Sequence, residues 1–214
     1  MVGHRSTSCE SFETVTTSFR FFIRLFVFLF FFFPSVIQAD DTKPPPIREG
    51  SPQGGSSFWA TRETLEEYVK MEAAKYNLPW LLVISIMEEE SELHPWKVVI
   101  NKHHYYARTK DEALRAIKEN AGDDYNLGIM QVHSRWLKRF SISPAEAIDT
   151  HINIKLGLYV LNESLAAHTD HGKLTGKGVN EYRVQQGWDY DPGYARRIGV
   201  RYTYLLFKEH RKTK

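Results

Sequence analysis

The sequence is poor in cysteine, in unbalanced charge and in long apolar runs. A single cysteine in 214 residues, Cys9, excludes an intramolecular disulfide framework and any zinc site built from several cysteines. Lys and Arg number 28 against 26 Asp and Glu, a net charge of +2, whereas a nucleic-acid binder carries a strong basic excess. The longest uncharged apolar stretch, Leu25 to Ile37, has 13 residues and contains Pro34. A membrane span needs about 20. No internal repeat is visible. With 25% charged and 42% hydrophobic residues and a mean hydropathy of −0.42, the composition is that of a soluble chain with room for one domain.

What is there divides unevenly. Ten of the 13 Phe lie in the first 33 residues. Arg5, Arg20 and Arg24 precede or interrupt this apolar core, and Ile37-Gln38-Ala39 follows it before Asp40-Asp41. A positive start, a short apolar core and a small residue at the cut point read as a secretory signal peptide over residues 1–39, cleaved after Ala39. Cleavage removes Cys9 and leaves a mature chain of net charge +1, exported to the periplasm, with no stable membrane anchor and no cysteine for a lipid. Residues 40–57 carry four Pro and three Gly and almost nothing to bury, the composition of a disordered linker. Folded structure is expected over residues 58–214.

Within those limits the punctuation is helical. Leu65, Tyr68, Val69, Ala73 and Tyr76 recur at helical spacing after Thr61, up to a stop near Asn77. Pro79 suits a first helical position, and Trp80 to Met87 is apolar on every side, the mark of a buried helix. Thr109-x-x-Glu112 and Ser143-Pro144-Ala145-Glu146 read as capping boxes. The first opens a helix running to Gly122; the second is followed by a short helix and a longer one from Asp149 to Ala167. A last helix begins at Asp191-Pro192 and buries Tyr194, Ile198, Tyr202, Leu205 and Leu206. Strand signal is confined to Val98–Ile100 and Tyr105-Tyr106, which pair as a hairpin across Asn101-Lys102. The fold class is mainly α, an α+β domain with one small hairpin.

The chemical hint lies where the buried helix ends, at Glu88-Glu89-Glu90. A carboxyl at the end of an apolar helix, near Trp96, is poorly solvated, and desolvation raises its pKa toward that of a general acid working near neutrality. A solvated acidic helix end is the alternative, and spacing does not choose among the three glutamates. His103-His104 has no third metal ligand at a recognised spacing. The basic tail, Arg196, Arg197, Arg201, Lys208, Arg211, Lys212 and Lys214, reads chiefly as a solvated helix face.

Glu90-Ser91 with Pro95, then Gly128-Ile129-Met130-Gln131, Asn153-Ile154-x-x-Gly157 and Tyr182, follow one another in an order that resembles the lytic transglycosylase SLT family, whose fold is related to goose-type lysozyme. The resemblance covers roughly residues 75–207. It implies a lysozyme-like catalytic domain, peptidoglycan as substrate, no cofactor and no metal. Its spacing from Pro95 selects Glu90 as the catalytic acid. Ser91, Gly128, Met130, Gln131, Asn153 and Tyr182 are then the implied substrate-binding residues. Ser91 either bonds near the acid or caps the helix; Asn153 either touches sugar or holds the motif loop; Tyr182 partners Glu90 or the substrate's acetamido group, or packs in the core. Two positions depart from the family pattern: Ile129 replaces a leucine, and Tyr182 is followed by Arg183 where Asn or His is more usual. The stretch His94-Pro95-Trp96-Lys97 with its Tyr-Tyr hairpin resembles a subgroup linked to secretion or conjugation machinery.

The implied reaction cleaves the bond between N-acetylmuramic acid and N-acetylglucosamine with closure of a 1,6-anhydro ring. Hydrolysis on the same fold needs a second carboxylate or a positioned water, and Asp123 and Asp124 are candidates for that carboxylate. A glycan-binding or secretion-assembly protein that does not cut is the reading from another class.

Overall fold

The computed structural model describes residues 62–120, 122–168 and 174–212. The expected signal peptide, linker and Phe58–Thr61 lie outside the described residues. Eight helices are present among the described residues: α1 (Arg62–Ala74), α2 (Trp80–Ser91), α3 (Lys110–Asn120), α4 (Ser134–Phe140), α5 (Pro144–Ala147), α6 (Thr150–Ala166), α7 (Gly176–Gln185) and α8 (Tyr194–Lys212). The strands are β1 (Lys97–Ile100), β2 (His103–Tyr106), β3 (Tyr125–Leu127) and β4 (Val132–His133).

Helix α2 is the axis of the domain. Every residue from Leu81 to Met87 is buried, as an all-round apolar sequence requires. α2 packs between α1 and α8, while α6 packs against α7. Pro79 stands at the N-cap and not one place further on, so the helix begins with Trp80. After Ser91 the chain turns sharply: Glu92 (φ 58°) and Leu93 (φ 63°) are both left-handed, an unusual conformation for non-glycine residues. The Glu92 N–H bonds to the Glu88 carbonyl, and the His94 N–H bonds to the Ser91 carbonyl. This turn sends the chain directly into β1 and leaves the last carboxylates of α2 beside the start of the sheet.

The hairpin is larger than the sequence suggests. β1 pairs with β2 from Lys97↔Tyr106 to Ile100↔His103, across Asn101 and Lys102, both at positive φ as a two-residue hairpin turn demands. β1 also pairs with β3, and β3 with β4, giving an antiparallel sheet of order β2-β1-β3-β4. β3 and β4 escape sequence reading because strands of three and two residues carry no alternation to detect. Helices α4 and α7 likewise have no expectation set for them.

Capping fixes the remaining ends. Ser143 and Glu146 form the reciprocal box expected of them. At α3 the box is displaced: Thr109 Oγ1 accepts from the Glu112 N–H, but the Glu112 carboxylate accepts from the Arg108 N–H and not from Thr109. α6 begins at Thr150, with Asp149 Oδ1 accepting from the N–H groups of His151 and Ile152. α8 begins at Tyr194, because Asp191-Pro192-Gly193 forms a turn in which the Tyr194 N–H bonds to the Asp191 carbonyl. No helix among the described residues is long and apolar enough to cross a membrane.

Candidate active site

The three glutamates closing α2 are sorted by direction. Glu88 faces cations: Arg62 Nη2 lies 2.7 Å from Oε1, and Arg201 Nη1 lies 3.6 Å from Oε2. Glu89 is held by Arg197 Nε at 2.6 Å and Arg201 Nε at 3.3 Å. Glu90 points inward and is 6% exposed. Its Oε1 accepts a 2.5 Å hydrogen bond from the Tyr194 hydroxyl, and no Lys, Arg or His lies within ion-pair distance among the described residues. Burial pushes its carboxyl up to about 7, against the opposing pull of the Tyr194 hydrogen bond and of the Arg183 and Lys97 charges; Glu89 adds a smaller upward push. Two arginines of the basic tail, Arg197 and Arg201, are therefore not merely solvated: they neutralise the outer glutamates and leave the inner one alone.

Beside this helix end lies the loop Gly128–Gln131 between β3 and β4. Ser91 Oγ donates to the Ile129 carbonyl at 2.7 Å, so the residue next to the acid fastens the loop to α2. The Tyr182 hydroxyl donates to the Met130 carbonyl at 2.8 Å. Asn153 accepts from the Met130 N–H at 2.8 Å and donates from Nδ2 to the carbonyls of Leu127 and Ala147, each at 3.0 Å. Gln131 Nε2 donates to the carbonyls of Gly128 (2.8 Å) and Lys97 (3.1 Å). Asn126 Nδ2 donates to the Gln131 carbonyl at 2.9 Å and ties the loop to the Gln186 carbonyl at 2.8 Å.

The two glycines have steric reasons. Gly128 has φ +81°, and a Cβ there would stand 2.3 Å from Asn153 Nδ2. A Cβ on Gly157 would stand 2.5 Å from the Met130 Cβ. Asn153 and Gly157, one turn apart on α6, thus act on the same loop, one by hydrogen bonds and the other by making room.

All seven expected site residues are accordingly brought together, but not in one role. Glu90 is the buried carboxyl at the helix end beside the loop. Ser91, Met130, Asn153 and Tyr182 are fully buried, and every polar side-chain atom named for them is spent on the loop or the helix. The Tyr182 hydroxyl bonds the Met130 carbonyl and not Glu90. Gly128 makes room for Asn153. Gln131 keeps one buried oxygen, Oε1, without a partner among the described residues. Asp123 and Asp124 pair outward with Lys138 (3.1 Å) and His133 (2.7 Å), their carboxylates 89% and 85% exposed.

Tyr194 bonds the Glu90 carboxyl, Lys97 bonds the Glu90 main-chain carbonyl and the Arg183 charge acts on the carboxyl, and none of the three stands out in the sequence as a site residue. Tyr194 reads in the sequence as one more core position of an amphipathic helix; that its hydroxyl meets Glu90 depends on how α8 crosses α2. The Arg183 guanidinium lies 5.5 Å from the rings of both Trp188 and Tyr194, and its Nε donates to the Asp189 carbonyl at 3.1 Å. On the hairpin side, Tyr106 is 46% exposed and its hydroxyl donates to Glu92 Oε1 at 3.0 Å. His104 of β2 and Trp188 of the α7–α8 connection approach with ring centroids 6.4 Å apart. Among the described residues no group of three His, Cys, Asp or Glu side chains is placed to hold a metal ion.

The transglycosylase SLT domain model matches residues 67–176, which include the buried helix with Glu90, the motif loop and the whole of α6. The chain belongs to the transglycosylase SLT domain family. The family is that of lytic transglycosylases, with a lysozyme-like fold, and acts on peptidoglycan. Tyr182, Arg183 and Tyr194 lie beyond the matched SLT segment. No curated protein and no solved structure matches the chain.

Proposed function

We propose that this SLT protein is exported and cleaves the β-1,4 bond between N-acetylmuramic acid and N-acetylglucosamine without consuming water, with Glu90 as acid and then base. The observation that carries the reading is the isolation of Glu90. It is the one glutamate of the three at this helix end that is enclosed, free of a cation within ion-pair distance, and neutral up to about pH 7.

The chemistry follows from that state. The Tyr194 hydroxyl occupies Oε1, which leaves the acid proton to Oε2. Glu90 gives this proton to the glycosidic oxygen as the C1–O bond breaks, and the substrate's acetamido oxygen supports the positive charge at C1. The resulting carboxylate, steadied by Tyr194, Lys97 and Arg183, then takes the proton of the C6 hydroxyl while O6 bonds to C1. The 1,6-anhydro ring closes and Glu90 is again protonated. The fixed loop Gly128–Gln131 sets the shape beside the acid, and the exposed Tyr106, over Lys97, offers a ring on which a sugar stacks.

A hydrolase needs a second carboxylate or a positioned water, and the charges acting on Glu90 are Arg183, Lys97 and the already paired Glu89. Asp123 and Asp124 are surface groups. This favours the lyase over the muramidase. The subgroup resemblance carried by His94–Lys97 and the hairpin adds a role beside a secretion or conjugation apparatus in the periplasm.

Digestion of purified peptidoglycan, with the muropeptides identified by mass spectrometry, tests the reading. Anhydro-muramoyl ends are expected. Reducing ends instead would make the protein a hydrolase, and no release with sedimentation on the wall would make it a binder.

A further inference from the structure

Lys97 is an anomaly in the fold. It opens β1, whose other residues, Val98, Val99 and Ile100, are buried and apolar, and it is itself only 5% exposed. A buried ammonium is costly unless it is paired. Among the described residues no carboxylate lies within ion-pair distance of it. Its one side-chain hydrogen bond goes to the main-chain carbonyl of Glu90, at 2.7 Å. The Tyr106 ring lies 5.2 Å from Nζ, a cation–π contact.

The main chain of the same residue is equally engaged. The Lys97 carbonyl accepts from the Gly128 N–H at 2.8 Å and from Gln131 Nε2 at 3.1 Å. Lys97 thus connects the helix end that carries the acid with the loop that faces it. Packing does not ask for a lysine here, since an apolar side chain would continue the pattern of β1. What a lysine adds is a donor for the last turn of α2 and a positive charge at the negative end of that helix.

We propose that Lys97 is a positioning residue for the acid: its ammonium fixes the Glu90 carbonyl and adds to the Arg183 guanidinium a second positive charge against which the Glu90 carboxylate rests after giving up its proton. A neutral acid without such a charge protonates the leaving group but makes a poor transient carboxylate. With it, the acid and base halves of one turnover are balanced on one side chain. The inference rests on Glu90 being the catalytic acid.

Other groups act on Glu90 and remain in place when Lys97 is changed. Tyr194 of α8 donates to it, Arg183 of α7 attracts it, and Tyr182 of α7 titrates well above its usual range beside it. Glu89 repels it but is held by Arg197 and Arg201, while Glu88 is held by Arg62 of α1 and by Arg201. Around Lys97 itself stand Glu92, His94, His104 and the Tyr106 ring; burial lowers its pKa, and the Glu90, Glu92 and Glu89 charges oppose that shift.

The test is a carbon-13 titration of the Glu90 carboxyl, assigned by its absence in Glu90→Gln, in the wild-type protein, Lys97→Met and Lys97→Gln. Lys97→Gln retains an N–H donor for the carbonyl and removes only the charge. Loss of the ammonium leaves the carboxylate less stable, so the midpoint is expected to rise by about one pH unit in both variants. The high-pH limb of peptidoglycan cleavage should move upward with it. A midpoint unchanged in Lys97→Gln, or a rate lost equally at every pH, would overturn the proposal and leave Lys97 as a structural cap. The titration reads Lys97 even in a protein that releases no muropeptide, so failure of this inference and failure of the lyase reading are separable.

Discussion

At the scale of single residues, the site is a matter of which carboxyl is denied a cation. Glu88, Glu89 and Glu90 are chemically identical and adjacent in sequence, yet only the last is enclosed. The consequence for stability has a definite sign. A carboxyl raised from 4.5 to about 7 binds its proton more tightly in the folded than in the unfolded chain. Its favourable contribution is fully present below pH 4.5 and is lost as pH rises through about 7. Glu90→Gln, neutral at all pH, should therefore gain on the wild type by on the order of 3 kcal/mol between pH 4 and pH 8. Urea unfolding of the two proteins at both pH values checks this; parallel pH dependences would show that Glu90 is not neutralised by burial. A cluster of carboxylates at the end of a buried helix is legible in the sequence, but which of the three is enclosed is not; only the family resemblance singles out Glu90. Its hydroxyl partner is not legible, because a tyrosine on an apolar face looks the same whether or not its oxygen meets a carboxylate.

At the scale of elements, the motif residues are legible as a set and misleading as individuals. Their order points to the family, but most of them build the loop. Ser91, Asn153 and Tyr182 each hold a different backbone group of Ile129-Met130, and Gly157 makes the space into which Met130 fits. Gly157→Ala is therefore a sharper probe of α6 than any surface change. The added methyl meets Met130 at well under contact distance, and the overpacking should cost about 1–3 kcal/mol. A fall in urea midpoint with cleavage reduced is expected, and an unchanged midpoint would mean that α6 and the loop are not in contact. The sheet shows the opposite limit of sequence reading. The hairpin is visible through Asn101-Lys102, whereas β3 exists only because β1 offers it a partner edge, and β4 because β3 does.

At the scale of the whole molecule, the fold gathers four elements around Glu90. α2 supplies Glu90, β1 supplies Lys97, α7 supplies Arg183 and α8 supplies Tyr194. α8 serves twice, since Arg197 and Arg201 neutralise the outer glutamates that would otherwise repel a carboxylate at position 90. The mainly helical class and the buried axis follow from apolar patterning alone. The crossing of α8 over α2 does not, because amphipathic spacing says which face of a helix is buried and not what it is buried against. The most direct test of this arrangement is peptidoglycan cleavage by Glu88→Gln, Glu89→Gln and Glu90→Gln in parallel, each shown to be folded by circular dichroism. Glu90→Gln should release no anhydro-muropeptide while the other two remain active within a few-fold; cleavage by Glu90→Gln at the wild-type rate would contradict the assignment of the acid.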